Sequence, residues 1–103
     1  MIKMKKLEQH SEQLAALGNP VRLQILRLVV QAGAQGSIVG DIQAKLDIPW
    51  STLSHHLERL ADAGLLEAQP DGRYIHYRAD YASLRALTEY LWQDCCKGGN
   101  GCC

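Results

Sequence analysis

Two short helical patterns separated by a tight turn, with a hairpin signal after the second, constrain this chain more than any other feature. Val39, Ile42, Ala44 and Leu46 mark the first short helix, with Asp41 near its start, and Asp47-Ile48-Pro49 ends it. Leu53, Leu57, Leu60 and Ala61 then recur at helical spacing to about Ala63, and Gly64 suits the residue just past a helix end. Ser51 or Thr52 can cap or open this second helix. Beyond it, the runs Leu65 to Ala68 and Arg73 to Arg78 flank Pro70-Asp71-Gly72, and Asp-Gly between two extended runs predicts a β-hairpin.

Helices are expected on both sides of this unit. Met4, Leu7, Leu14 and Leu17 give a first apolar stripe, with Glu8, Gln9, Glu12 and Gln13 as its wet face. Gly18-Asn19-Pro20 breaks that helix and opens the next, with Asn19 as N-cap and Pro20 in the first turn. Val21, Ile25, Leu26, Leu28, Val29 and Val30 carry the second helix through the core to about Gly33, and Tyr81, Leu84, Leu87, Thr88 and Leu91 carry a last one to Trp92. The order α-α-α-α-β-β-α, mainly α with a small β-hairpin, describes a winged helix-turn-helix. A length of 103 residues supports one such domain, expected over residues 1–94, with a Cys/Gly-rich tail at 95–103. No apolar run approaches the ~20 residues of a membrane span, and Met1 to Lys6 lacks a signal peptide's apolar stretch, so a cytoplasmic protein without a membrane partner is expected.

In a helix-turn-helix the second helix lies in the major groove and presents its N-terminal residues to base edges. Here those are Trp50, Ser51, Thr52, Ser54, His55 and His56, with Arg59 one turn further on. With Leu53 and Leu57 turned to the core, Ser51, Thr52, His55 and His56 are expected on the outer arc, as DNA contacts. Arg73, His76 and Arg78 give the hairpin a means of meeting phosphate or the minor groove. The plainer reading is that Ser51 or Thr52 only caps the helix and that the histidines are surface residues. Adjacent His55 and His56 are not a helical metal pair, because neighbouring side chains point about 100° apart. Charge alone does not point to DNA: 11 Lys and Arg balance 11 Asp and Glu. From Gly40 to Arg78, Lys45, Arg59, Arg73 and Arg78 face Asp41, Asp47, Glu58, Asp62, Glu67 and Asp71. Binding is therefore expected to depend on placed contacts, with a moderate salt dependence. An enzyme is not expected, since no Gly-rich phosphate loop precedes a helix and no nucleophile–base pair is recognisable.

Four stretches carry a resemblance to a known family: Leu17-Gly18-Asn19-Pro20-Val21-Arg22-Leu23-Gln24-Ile25-Leu26, Ser51-Thr52-Leu53-Ser54-His55-His56-Leu57-Glu58-Arg59-Leu60, Ala63-Gly64-Leu65-Leu66 and Gly72-Arg73-Tyr74-Ile75-His76-Tyr77-Arg78. Together they resemble the ArsR/SmtB metal-responsive repressors over about residues 10–92. The resemblance implies a homodimer joined through its first and last helices. It also implies binding to double-stranded operator DNA and release by a metal or metalloid ion. Three departures stand out. Where many arsenic and cadmium sensors carry Glu-Leu-Cys-Val-Cys-Asp-Leu, this chain reads Gly36-Ser37-Ile38-Val39-Gly40-Asp41-Ile42, without either cysteine. The last helix lacks the acid and histidine pairs of the zinc sensors, and Asp80 alone does not rebuild them. Trp50 stands where the family more often has a small polar residue.

All 4 cysteines lie in the tail: Cys95, Cys96, Cys102 and Cys103. They close no long loop, so their chemistry rather than cross-linking of the core is the expected reason for them. Cys95 and Cys96 can share a ligand if the helix ends around them, and Gly98, Gly99 and Gly101 permit the chain to return toward the first pair. Soft thiolates favour thiophilic centres: trivalent arsenic takes three in a pyramid, whereas zinc or cadmium takes four in a tetrahedron. Some ArsR-type repressors carry their arsenic cysteines at the C-terminus, and this tail resembles theirs. By that match Cys95, Cys96 and Cys102 are the ligands of As(III) or Sb(III), and the function is repression of an arsenical-resistance operon. A zinc/cadmium-sensing regulator and a thiol redox-sensing regulator are the alternatives.

Overall fold

The structure is a computed structural model and describes residues 2–99. Helix α1 (Ile2–Leu17) is followed by α2 (Pro20–Ala32), a single 3-10 turn at Gly33–Gln35 and the short strand β1 (Ser37–Ile38). Then come α3 (Val39–Leu46), α4 (Trp50–Asp62), β2 (Leu66–Asp71), β3 (Tyr74–Ala79) and α5 (Tyr81–Trp92). This is the expected winged helix-turn-helix, with one strand more than the sequence announced. β1 pairs with β3, Ser37 opposite Tyr77, so the wing is a three-stranded antiparallel sheet in the order β1-β3-β2. Two residues of β-structure are too short to leave a periodic signal.

Local chemistry sets the boundaries. Asn19 Oδ1 accepts from the amides of Val21 and Arg22 at 2.9 and 3.1 Å, and Pro20 opens α2 behind it. Asp80 Oδ1 caps α5 by accepting from Ser83 N at 3.0 Å. Asp47, left-handed at φ 52°, ends α3, and Gln43 Nε2 donates to Ile48 O at 3.0 Å across the turn. α4 begins directly after Pro49 with no side-chain cap, so Ser51 and Thr52 sit in its first turn rather than capping it. At its other end Gly64 (φ 81°) donates to Ala61 O and Leu65 to Leu60 O, each at 3.0 Å, the bonding of a Schellman stop. The hairpin turn falls one residue later than expected. Asp71 pairs with Tyr74, leaving Gly72 (φ 62°) and Arg73 as a two-residue turn with glycine first, where positive φ is required.

Leu53, Leu57 and Leu60 of α4 meet Ile25 and Val29 of α2 and Ile42 of α3 in the core, all but inaccessible to water. One expectation is reversed on α1. Its Gln13, read as wet, is buried, while Leu7 and Leu14, read as the apolar stripe, are about half exposed. Gln13 is held by polar partners: its Nε2 donates to Ala63 O at 3.2 Å and its Oε1 accepts from His10 Nδ1 at 3.0 Å. The His10 ring lies 4.5 Å from that of Tyr90, which joins α1 to α5. Leu91 and Trp92 at the end of α5 are also exposed, at 59% and 67%. No helix of the described residues is long and apolar enough to cross a membrane.

Candidate nucleic-acid interface and thiol site

The turn at Asp47–Pro49 and the leucines of α4 leave the other side of that helix in water. Trp50 is exposed at the helix start, in line with the leucines, and Ser51, Thr52, Ser54, His55 and Arg59 are all exposed along that other side. His56, expected beside them on the outer arc, is not: it is turned inward and is 9% exposed. It lies three residues after Leu53 and four before Leu60, on the face those leucines bury. Arg22 explains how an imidazole is accommodated there. Its Nη1 donates to His56 Nδ1 at 3.3 Å while its Nε donates to Ala16 O at 2.7 Å, tying α1, α2 and α4 together.

Burial first, then the charges of Arg22 and His55, lower the pKa of His56 from 6.5, so it stands neutral. A histidine of the unfolded chain titrates near 6.5. Below that pH the unfolded chain takes up a proton that folded His56 refuses. Stability therefore falls as pH drops from 6.5 toward the lower folded value, and levels off beneath it. Urea unfolding at about pH 7.5 and about pH 5 is expected to show a smaller stability difference in His56→Gln than in the parent. An equal difference in both would contradict the buried, neutral state.

On the wing, Arg78 Nε is paired with Glu67 Oε2 at 2.8 Å, and His76 Nε2 lies 3.6 Å from Asp71 Oδ2. Both were expected as contacts for nucleic acid, and both face acids of the wing itself. Among the described residues this leaves Arg73, exposed at the hairpin tip, as the wing's cation for phosphate.

The tail begins where helical geometry stops. Beyond Trp92 the chain makes successive turns, with Cys95 N on Trp92 O at 2.9 Å and Lys97 N on Asp94 O at 3.1 Å. Asp94 and Cys96 are left-handed, at φ 58° and 66°. These conformations swing the two adjacent side chains, which a helix would splay, to the same side: Cys95 Sγ and Cys96 Sγ are 3.2 Å apart. Cys96 is disulfide-bonded in this structure. Cys102, the third expected ligand, lies outside the described residues. Among the described residues no three Cys, His, Asp or Glu side chains converge on one point.

An exposed helix after a tight turn and a cation-tipped β-wing define a DNA-binding protein of the winged helix-turn-helix class. A helix-turn-helix domain family matches residues 17–69. An HTH-type transcriptional regulator of Methanocaldococcus jannaschii is 38% identical over 74 residues, 72% of this chain and 81% of that protein. The arsenical resistance operon repressor of Bacillus subtilis is 29% identical over 106 aligned positions, 98% of this chain and 96% of that protein. The solution structure of a homodimeric winged helix-turn-helix DNA-binding domain from Mycobacterium bovis superposes with a TM-score of 0.70 at 30% identity, covering 98% of this chain and 94% of that one. The chain belongs to the ArsR/SmtB family of winged-helix transcriptional regulators, which are not enzymes.

Proposed function

We propose that the chain is a homodimeric repressor that leaves its operator when trivalent arsenic or antimony is bound by the thiolates of Cys95, Cys96 and Cys102. The observation that carries this reading is the 3.2 Å separation of the Cys95 and Cys96 sulfurs. Ile38 and Gly40 offer no thiol at the start of α3, so soft-ligand chemistry in this chain rests with the tail. The ligand requires reduced sulfur, so the disulfide at Cys96 must open before it binds. Exposed Leu7, Leu14, Leu91 and Trp92 on α1 and α5 supply an apolar face for a second copy, and the Bacillus subtilis and Mycobacterium bovis relatives support both parts of the reading.

DNA contact is assigned to Ser51, Thr52, Ser54, His55, Arg59 and Arg73. His56 supports the helix from inside. Capture of the inducer just past α5 would bias the arrangement of the two recognition helices through the α1–α5 face. Arsenite is expected to weaken binding to the protein's own promoter fragment by roughly 5–150-fold, the usual range of coupling between sites. Fluorescence anisotropy checks this with reduced protein. Cys95→Ser, Cys96→Ser and Cys102→Ser should each stay bound, and undiminished release in all three would overturn the tail site. The Cys96 disulfide favours a second reading, thiol redox sensing. Release by peroxide with no response to arsenite would establish that reading in place of the first.

A further inference from the structure

The reading face of α4 lacks the side chains that usually name bases. From Trp50 to Glu58 the sequence holds no Arg, Lys, Asn or Gln. Guanine is usually read by the forked donors of Arg or by Lys, and adenine by the amide of Asn or Gln. Arg59 comes nine residues after Trp50, about 13 Å further along the axis at 1.5 Å per residue, too far back to serve the first turn. The hydroxyls of Ser51, Thr52 and Ser54 bond either donors or acceptors and discriminate poorly. What distinguishes the first turn is an apolar group. Trp50 is the first helical residue and its indole is 54% exposed. It continues the stripe of Leu53, Leu57 and Leu60 one turn beyond the core, out to the end of the helix that enters the groove. The apolar feature of the major groove is the C5-methyl of thymine.

We propose that Trp50 is a base-reading residue that packs its exposed indole on a thymine methyl in the major groove, so that each half-site is specified by an A·T pair at that position. The excess of acids over bases from Gly40 to Arg78 agrees with this assignment, since affinity there draws on fitted contacts more than on cations. An indole whose role was only to roof the core would be indifferent to that methyl.

The test begins with sites selected by the full-length protein from random-sequence duplexes, in which each thymine is then replaced singly by deoxyuridine. Wild type is expected to lose about fourfold in affinity at one thymine per half-site, the worth of burying one methyl, and little elsewhere. Trp50→Ala is expected to bind the thymine site more weakly and to ignore that replacement, while Trp50→Phe keeps part of the sensitivity. Wild-type indifference to every uracil would overturn the proposal without recourse to any variant. So would an equal loss by Trp50→Ala on thymine and uracil sites with the uracil penalty intact, which would mark a phosphate or packing role.

Discussion

Gly36→Ala is expected to destabilise the domain by roughly 3 kcal/mol, the sum of backbone strain and displaced neighbours. Gly36 has φ 71° and ψ −163°, a region that essentially only glycine occupies. A methyl group there would stand 2.5 Å from the Tyr77 carbonyl oxygen and 3.0 Å from Arg78 Cβ. The first neighbour is backbone and pairs with β1 at Ser37, so relief requires moving the strand. For a domain of this length the melting temperature should fall by roughly 12–24 °C in thermal unfolding followed by circular dichroism. Gly33→Ala is the matched control. Its φ of 77° is equally unfavourable, but no atom lies within 4 Å of the added carbon, so it should lose only the backbone part. Equal losses in the two would show that the contact with β3 is not what requires glycine at position 36.

Arg22→Met is expected to cost roughly 2–3 kcal/mol, the worth of a charge-assisted hydrogen bond together with the group it leaves unpaired. The methionine keeps the length of the side chain and the helical preference of α2, but neither Ala16 O nor His56 Nδ1 keeps its donor. Ala16 O is among the last carbonyls of α1, where a cation is favourable both as donor and against the helix dipole. Urea unfolding measures the loss, and nuclear magnetic resonance titration of His56 supplies an independent readout. Burial is the larger cause of the lowered pKa and survives the substitution, whereas the Arg22 contribution disappears. The His56 pKa should therefore rise part of the way toward 6.5. An unmoved titration would mean that the guanidinium does not face the ring.

Where neighbours along the chain decide the conformation, the residues were readable in advance. Asn19 before Pro20, Gly64 after Ala63, and the stop of α5 before the glycines of the tail are set by capping and φ preferences within a few residues. The burial of Gln13 was not readable, because its partner Ala63 O lies 50 residues away in sequence, and hydropathy alone calls an amide wet. Leu7 and Leu14 misled for the complementary reason: an apolar stripe says that a face is covered, not whether its own chain covers it. His56 carried a usable signal in its spacing from Leu53 and Leu60, which chemical type overruled. The hairpin turn was displaced because Asp-Gly marks a turn in general, while strand pairing decides which two residues stand at its centre. Of the tail, the sequence foretold that turns must bring Cys95 and Cys96 together, but the left-handed Asp94 and Cys96 that do so have no distinctive residue type.

Among the described residues the last buried side chain is Leu87, and the chain leaves helix α5 at Trp92. Residues 93–99 add nothing to the core and can be rewritten at almost no thermodynamic penalty. The binding helix, by contrast, is anchored by three leucines and can drift only on its wet side. Substitutions in residues 93–99 therefore leave the DNA-reading framework as it is, while substitutions among the leucines do not.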